Sequence, residues 1–305
     1  MRDIVLVANP ASSGFTGAGF RDVVNILTKS FAVTRIWPET AQQATEVATD
    51  AALRGVYAVV AMGGDGVVNR VANGIVDSPT ALGIVPVGTT NVLARILGVP
   101  KKPRNAARAL ADAIPAPRAV ARVTATIDNE ERTSLATFNV GVGFDADVVE
   151  VAEKRPNAKL MFGSMHYART AASKLFGAYG SKQPNLRVRH GDETFDGVTM
   201  LCQLHHTYTY FGRVPLRFGP GPFPGATAIV IEHLSPLTGA DLAGRAAIRK
   251  PVDGIAGITK LDDVQHLIVE ADPIAHVQTD GELLGAASRV HIAPDHDALS
   301  ILIPR

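Results

Sequence analysis

Three short stretches in the first third of the chain combine glycine with small hydroxyl and amide side chains. They are Asn9-Pro10-Ala11-Ser12-Ser13-Gly14, Gly63-Gly64-Asp65-Gly66 and Gly88-Thr89-Thr90-Asn91. Glycines let backbone N–H groups approach an anion, and a helix starting just behind the loop adds its own N–H groups and dipole. Each stretch therefore has what a phosphate needs. Asp65 carries further information. A carboxylate beside a polyphosphate is repelled unless a divalent cation lies between them, so Asp65 points to Mg²⁺ coordination, directly or through water. Taken singly, each stretch also has a plain structural reading. GGDG is equally a tight turn with Asp65 capping a helix, and Asn, Ser and Thr are ordinary turn and cap residues. Their recurrence at successive strand ends is what favours phosphate. The GxGxxG fingerprint of dinucleotide-binding folds is missing after the first strand.

The surrounding pattern supplies those strand ends. Apolar runs IVLVAN (4–9), AVTRIW (32–37), YAVVAM (57–62) and ALGIVPV (81–87) alternate with helical stretches at 20–29, 40–54 and 67–75. Continuous apolar strands alternating with helices predict a parallel sheet covered on both faces, with ligands bound where loops leave the strands' carboxyl ends. Another helix begins at Lys101 and closes at Pro115 and Pro117, so the first domain is expected to span 1–118. The remainder, 119–305, changes texture: strand-like runs such as 119–128, 133–141, 267–271, 275–279 and 299–303 are joined by polar turns, including Asp280-Gly281. Helix is predicted there only at 145–154 and 162–179. This half reads as a mainly antiparallel, β-rich domain.

Composition sets outer bounds. With 305 residues and a net charge of +1, the chain has room for two cores and no bulk basic character, so nucleic acid is not an expected partner. The one cysteine, Cys202, rules out an internal disulfide and fits a reducing, cytoplasmic setting. No apolar run is long enough to span a membrane, so membrane contact is expected to be peripheral. His205 and His206 are adjacent on a strand-like run and point to opposite faces, which argues against joint chelation. Basic residues interleaved with apolar ones at 154–189 read either as a surface for anionic lipid or as an amphipathic helix with a solvated face.

The three loops in their fuller context make a resemblance specific. NPASSG, GGDGVVNRVANGI and ALGIVPVGTTNVLARILGVP resemble the catalytic domain of the diacylglycerol kinase and sphingosine kinase superfamily, closest to its bacterial lipid-kinase branch. The likeness continues through FNVGVGFDADVV (138–149), YTYFGRVPLRF (208–218) and QTDGELLG (278–285). The resemblance implies an α/β domain related to phosphofructokinase and NAD kinase, followed by a β-sandwich-like domain, with ATP between them. The implied reaction moves the γ-phosphoryl group of ATP to the hydroxyl of a diacylglycerol-like lipid. It implies nucleotide contacts from Asn9, Ser13, Gly63, Gly64, Asp65, Gly66, Val67, Val68, Asn69, Arg70, Gly88 and Thr89, with Asp65 serving Mg²⁺. Glu282, in Asp280-Gly281-Glu282, becomes the proton acceptor, with Asp280 the next candidate. On its own that triplet reads as a polar β-turn. In such an arrangement Asp65 and Glu282 meet only across the cleft. The oligomeric state, a homodimer among the options, is left open.

Several positions depart from the family pattern. Val67 stands where a Thr is usual, Arg70 where a Glu is usual, and Phe15 where a basic residue often follows the first loop. An Asp-Asp-Gly-Leu stretch of the second domain is replaced at 224–228, which removes a structural metal site formed there in some bacterial members. Two rival readings follow: another kinase of the superfamily, such as one acting on NAD, and a catalytically weak lipid- or nucleotide-binding protein. Retention of Asp65 and Glu282 favours a lipid kinase over the second.

Overall fold

The structure, a computed structural model, describes residues 1–153, 177–219 and 225–304. It divides into two compact units, Met1–Val120 with His296–Arg305, and Ala121–Asp295. The C-terminal residues, grouped by sequence with the second domain, thus return to the first.

Unit 1 contains β1 (Arg2–Ala8), α1 (Gly17–Leu27), β2 (Phe31–Ile36), α2 (Ala41–Leu53), β3 (Ala58–Gly63), α3 (Asp65–Ile75), β4 (Ala81–Pro86), α4 (Val92–Ile96), α5 (Pro103–Ala111), β5 (Ile114–Pro117) and the last strand, β18 (Ser300–Ile303). The sheet runs β2-β1-β3-β4-β18-β5. Its strands are parallel except β5, which runs antiparallel to β18. Pro115 and Pro117, expected only to close a helix, lie in this edge strand, where a missing N–H is tolerated. β3 and β4 are buried along their whole length, as strands covered on both faces must be. Helix α1 buries Phe20, Val23, Val24 and Leu27, the i, i+3, i+4, i+7 stripe of an amphipathic helix, and the Thr16 hydroxyl caps its start by accepting the Gly19 N–H at 3.0 Å. Helices α2 and α3 pack closely at Gly74, where a Cβ would come within 2.5 Å of the Thr45 carbonyl oxygen.

Unit 2 contains β6 (Val120–Ile127), β7 (Glu130–Ala136), β8 (Asn139–Gly143), α6 (Phe144–Glu153), β9 (Leu186–His190), β10 (Glu193–Gly197), β11 (Thr199–Gln203), β12 (Thr209–Phe211), β13 (Val214–Leu216), β14 (Ala226–Ile231), α7 (Pro236–Ile248), β15 (Ile258–Val264), β16 (Leu267–Thr279) and β17 (Glu282–Asp295). Its large sheet runs β15-β14-β11-β8-β16-β17-β6-β7, with β9 also on β16 and β10 beyond it. The pairings from β15 through to β17, of β6 with β7, and of β9 with β16 and β10 are antiparallel.

The run 133–141, expected as one strand, is two, β7 and β8, with a break at Thr137-Phe138. Conversely, 267–271 and 275–279 merge into β16, whose pairing with β17 shifts register between Glu270 and Ala275. Helix α7 was not expected, because only Leu242 and Ala246 are buried along it and its apolar stripe is thin. The helix expected at 162–179 lies mostly outside the described residues. No helix among the described residues is long and apolar enough to cross a membrane.

Candidate active site

In unit 1 the register sets the three glycine loops side by side. Ala8 pairs with Met62 and Gly63 with Pro86, so β1, β3 and β4 end at one level and release their loops together. β2 and β3 flank β1 on opposite sides, which makes the ends of β1 and β3 the topological switch point of the sheet. Backbone hydrogen bonds then tie loop to loop. Asn9 N–H donates to the Met62 carbonyl at 3.1 Å, Val87 N–H to Gly63 at 3.0 Å, and Gly14 N–H to Val87 at 2.8 Å. The hydroxyls of Ser13 and Thr89 lie 3.1 Å apart in a hydrogen bond, joining the first loop to the third.

The second and third loops touch through their glycines. A Cβ on Gly88 would lie 2.4 Å from the Gly64 Cα and 2.8 Å from Asn91 Oδ1. Both are backbone or braced positions, so no side chain fits. Asn91 holds the left-handed conformation at φ 49° and clamps its own loop: Oδ1 accepts the Gly88 N–H at 3.0 Å, and Nδ2 donates to the Gly88 carbonyl at 2.7 Å. Asp65, the first residue of α3, accepts the Leu93 N–H on Oδ1 at 3.3 Å, so its carboxylate also braces the start of α3 against α4. Gly64 stands at the cap of α3 and provides no side-chain acceptor, leaving that helix start suited to an anion.

The remaining nucleotide candidates separate by environment. Gly63, Gly64, Asp65, Gly66, Gly88 and Thr89 lie in the two linked loops, and Val67 packs over Gly63, whose Cβ would meet Val67 Cβ at 2.5 Å. Asn9 turns inward on its own loop, accepting the Ala11 N–H at 2.9 Å. Val68 and Asn69 are buried in unit 1, and Asn69 is bonded through its side chain to Asn73 at 3.1 Å. Arg70 is half-buried on the same helix.

In unit 2 Asp280-Gly281 forms the two-residue loop between β16 and β17, with φ of 56° and 81°. Two consecutive positive φ angles are the type I′ hairpin geometry that Asp-Gly favours. Asp280 is 4% exposed and its carboxylate is saturated. Oδ2 accepts the Thr137 N–H at 2.7 Å and the Thr137 hydroxyl at 2.6 Å, while Oδ1 accepts the N–H groups of Phe138 and Asn139 at 2.9 and 3.1 Å. With its lone pairs committed, Asp280 is an anchor for the turn and not a spare base. Gly281 N–H donates to Gln278 Oε1 at 2.7 Å, and Glu282 follows at the first position of β17, half-buried.

Behind the turn lies a buried polar network that the motifs contained but gave no role. Asp145 Oδ2 accepts from the Tyr208 hydroxyl at 2.6 Å and from Gln278 Nε2 at 2.8 Å, and Asn139 Nδ2 donates to the Tyr208 carbonyl at 3.0 Å. Burial pushes the Asp145 carboxyl above its ordinary range, against the two hydrogen bonds that pull it down. The Tyr208 hydroxyl is pushed well up by burial and by Asp145 beside it. The first glycine of FNVGVG explains how these side chains lie on the sheet: a Cβ on Gly141 would clash with Asp145 Oδ2. Two residues further along α6, Asp147 Oδ1 meets His276 Nδ1 at 2.7 Å, pinning the helix to β16.

Of the basic stretch, 154–176 lies outside the described residues. Arg187 and Arg189 face Asp196 and Glu270 at 3.8 and 4.0 Å, and Lys182 sits 4.4 Å from the centre of the Tyr179 ring.

Comparison with known proteins follows the same division. Residues 3–123 match the family model of the diacylglycerol kinase catalytic domain. The diacylglycerol kinase of Bacillus subtilis is 48% identical over 64 residues, 20% of this chain and 21% of that protein. The diacylglycerol kinase of Staphylococcus haemolyticus is 28% identical over 184 residues, 57% of this chain and 52% of that protein. The chain thus spans about half or less of the length of these curated relatives. A diacylglycerol kinase structure from Bacillus anthracis superposes with a TM-score of 0.71 at 15% identity, over 100% of this chain and 97% of that one. Yeast NADH kinase complexed with NADH gives a TM-score of 0.51 at 10% identity, over 100% of this chain and 84% of that one. At those identities the likeness shows the fold alone, a parallel α/β unit followed by an antiparallel β-rich one. Residues 3–123 are accordingly similar to a diacylglycerol kinase catalytic domain, and the chain resembles the lipid kinases of that superfamily.

Proposed function

We propose that this chain is an ATP-dependent lipid kinase that transfers the γ-phosphoryl group to the hydroxyl of a diacylglycerol-like lipid. The observation that carries the reading is the bare backbone contact between Gly64 and Gly88 at the head of α3, flanked by the Ser13–Thr89 hydrogen bond. Loops held that close, without side chains between them, leave backbone N–H groups and a helix start to receive phosphate oxygens. Among the described residues no three His, Cys, Asp or Glu side chains gather as metal ligands. That fits Mg²⁺ arriving on the nucleotide, held by phosphate oxygens, water and the one carboxylate of Asp65, as Mg²⁺ is at nucleotide sites. The ion would neutralise charge on the phosphates during transfer.

Glu282 is the proposed proton acceptor. A lipid alcohol is a poor nucleophile, and a carboxylate within hydrogen-bond reach takes its proton as the new P–O bond forms. The Asp280 anchor and the type I′ turn restrict where Glu282 can stand, which is what a positioned base needs. A lipid acceptor also implies contact with a membrane surface.

The test is incubation of the full chain with γ-labelled ATP, Mg²⁺ and dispersed diacylglycerol, with NAD as the competing acceptor. Labelled lipid phosphate is the expected product. Label in the dinucleotide would transfer the reading to the NAD-kinase branch. Nucleotide binding with no labelled product from either acceptor would make the chain a binding protein.

A further inference from the structure

Unit 2 has a cavity of about 420 Å³ whose wall carries His206, Arg217, Arg249, Lys250 and Lys260 against one acid, Asp253. Among the described residues, Lys260 alone of these cations has carboxylate partners: its Nζ lies 2.7 Å from Asp262 and 3.5 Å from Asp253. Among the described residues no carboxylate pairs with Arg217, Arg249 or Lys250. Arg217, Arg249 and Lys250 therefore share one concavity without a paired carboxylate among the described residues, its one acid, Asp253, lying against Lys260.

The backbone holds them there at some cost. Arg249 caps the C-terminus of α7 in the left-handed conformation, φ 58° and ψ 32°, which disfavours a side chain with a Cβ. Glycine would suit that cap better, and a cation at a helix C-terminus explains only part of the choice. Arg217 is tied to the same helix, its N–H donating to the Ala246 carbonyl at 3.2 Å. Burial and then the neighbouring Arg249 push the Arg217 guanidinium down, and burial, Arg217 and Arg249 push His206 down. Two buried polar groups beside residues of the cavity wall have no partner among the described residues. Gln203, whose Oε1 accepts the Phe218 N–H at 3.0 Å, has an unbonded Nε2, and Thr207, next to His206, has an unbonded hydroxyl.

We propose that this cavity of unit 2 is an anion site for a phosphate-bearing ligand. Guanidinium forks match phosphate oxygens two at a time, and three unpaired cations facing a single acid suit a ligand of more than one negative charge. The volume exceeds a bare phosphate and admits its ester substituent. The phosphate group belongs either to an anionic lipid headgroup or to a soluble phosphate ester.

The experiment titrates inorganic pyrophosphate into the full chain by calorimetry, for the wild type and for Arg249→Gly and Arg217→Gln. Arg249→Gly removes the charge and relaxes the cap, so it folds at least as well as the wild type. Each variant is expected to weaken one pyrophosphate-binding step by about tenfold or more, the loss of a charge-assisted contact. Binding in Arg249→Gly equal to that of the wild type, or no binding in either, overturns the site, whatever Arg217→Gln does. Sedimentation with phosphatidylcholine vesicles, with and without phosphatidic acid, then separates the sources. Phosphatidic acid that binds the wild type and is lost on Arg249→Gly assigns a headgroup. Pyrophosphate binding sensitive to Arg249→Gly, without vesicle binding, assigns a soluble ester.

Discussion

Asp280 and Thr137, far apart in the chain, are joined twice: one carboxylate oxygen of Asp280 accepts both the backbone N–H and the hydroxyl of Thr137, at 2.7 and 2.6 Å. The other oxygen takes the next two backbone N–H groups, so the β7–β8 break and the β16–β17 turn form one unit. Asp280→Ala would strand four donors in a buried place. We expect a loss of roughly 3–5 kcal/mol in urea unfolding, the cost of leaving buried partners of a charge unsatisfied. A loss under about 1 kcal/mol would show that the anchor is dispensable.

Glu282 and Asp65 should fail in different ways. Glu282→Gln is expected to lower turnover by about 10²–10⁴-fold with ATP affinity little changed, as loss of a general base does. Asp65→Asn keeps an oxygen to accept the Leu93 N–H, so its melting temperature should hold while Mg²⁺-dependent ATP binding and rate both fall. The measurement is paired, steady-state rate with a lipid acceptor and ATP affinity by calorimetry. Normal turnover in Glu282→Gln, or loss of its ATP binding, removes Glu282 as the base.

Gly88→Ala tests the closeness of the loops. Its Cβ meets backbone 2.4 Å away, which cannot yield without separating the two loops. The expected effect is weaker nucleotide binding together with about 1–3 kcal/mol of destabilisation, typical of overpacking. Gly17→Ala, where a Cβ meets only the far end of Arg21 at 3.8 Å, serves as the control and should change neither. Equal behaviour of the two variants would refute the cradle.

Asp145 gives a pH signature. Burial raises its folded-state value above the unfolded one, so the folded chain holds that proton more tightly. Its contribution to stability is complete below the ordinary carboxylate range and is lost as pH rises through the raised value. Asp145→Asn cannot titrate. The stability of the wild type relative to Asp145→Asn should therefore decline as pH rises above the ordinary carboxylate range, measured by urea unfolding. A difference that stays constant, or grows with pH, would show that the hydrogen bonds from Tyr208 and Gln278 outweigh burial.

Local pattern was enough for strands β1 to β4 of the first unit and for the position of the glycine loops, though not for the edge strand β5. Uninterrupted apolar runs at 57–62 and 81–87 admit little but buried strands, and glycine-rich stretches at their ends announce themselves by type. The Asp280-Gly281 turn was equally legible, since few residue pairs tolerate two positive φ angles. What the sequence did not reveal depends on partners far along the chain. SILI at 300–303 has the same apolar texture as any strand, and only the free edge of β4 draws it back into the first sheet. Asp280 looks like a second candidate base until Thr137, Phe138 and Asn139 arrive to occupy its oxygens. Arg217, Arg249 and Lys260 are scattered charges in the sequence and become one cavity wall because α7, β15 and the segment after β13 converge. Periodicity and residue type act over a few neighbours and can be read directly. Register, hydrogen-bond saturation and shared charge are set by side chains that meet only once the sheets have closed.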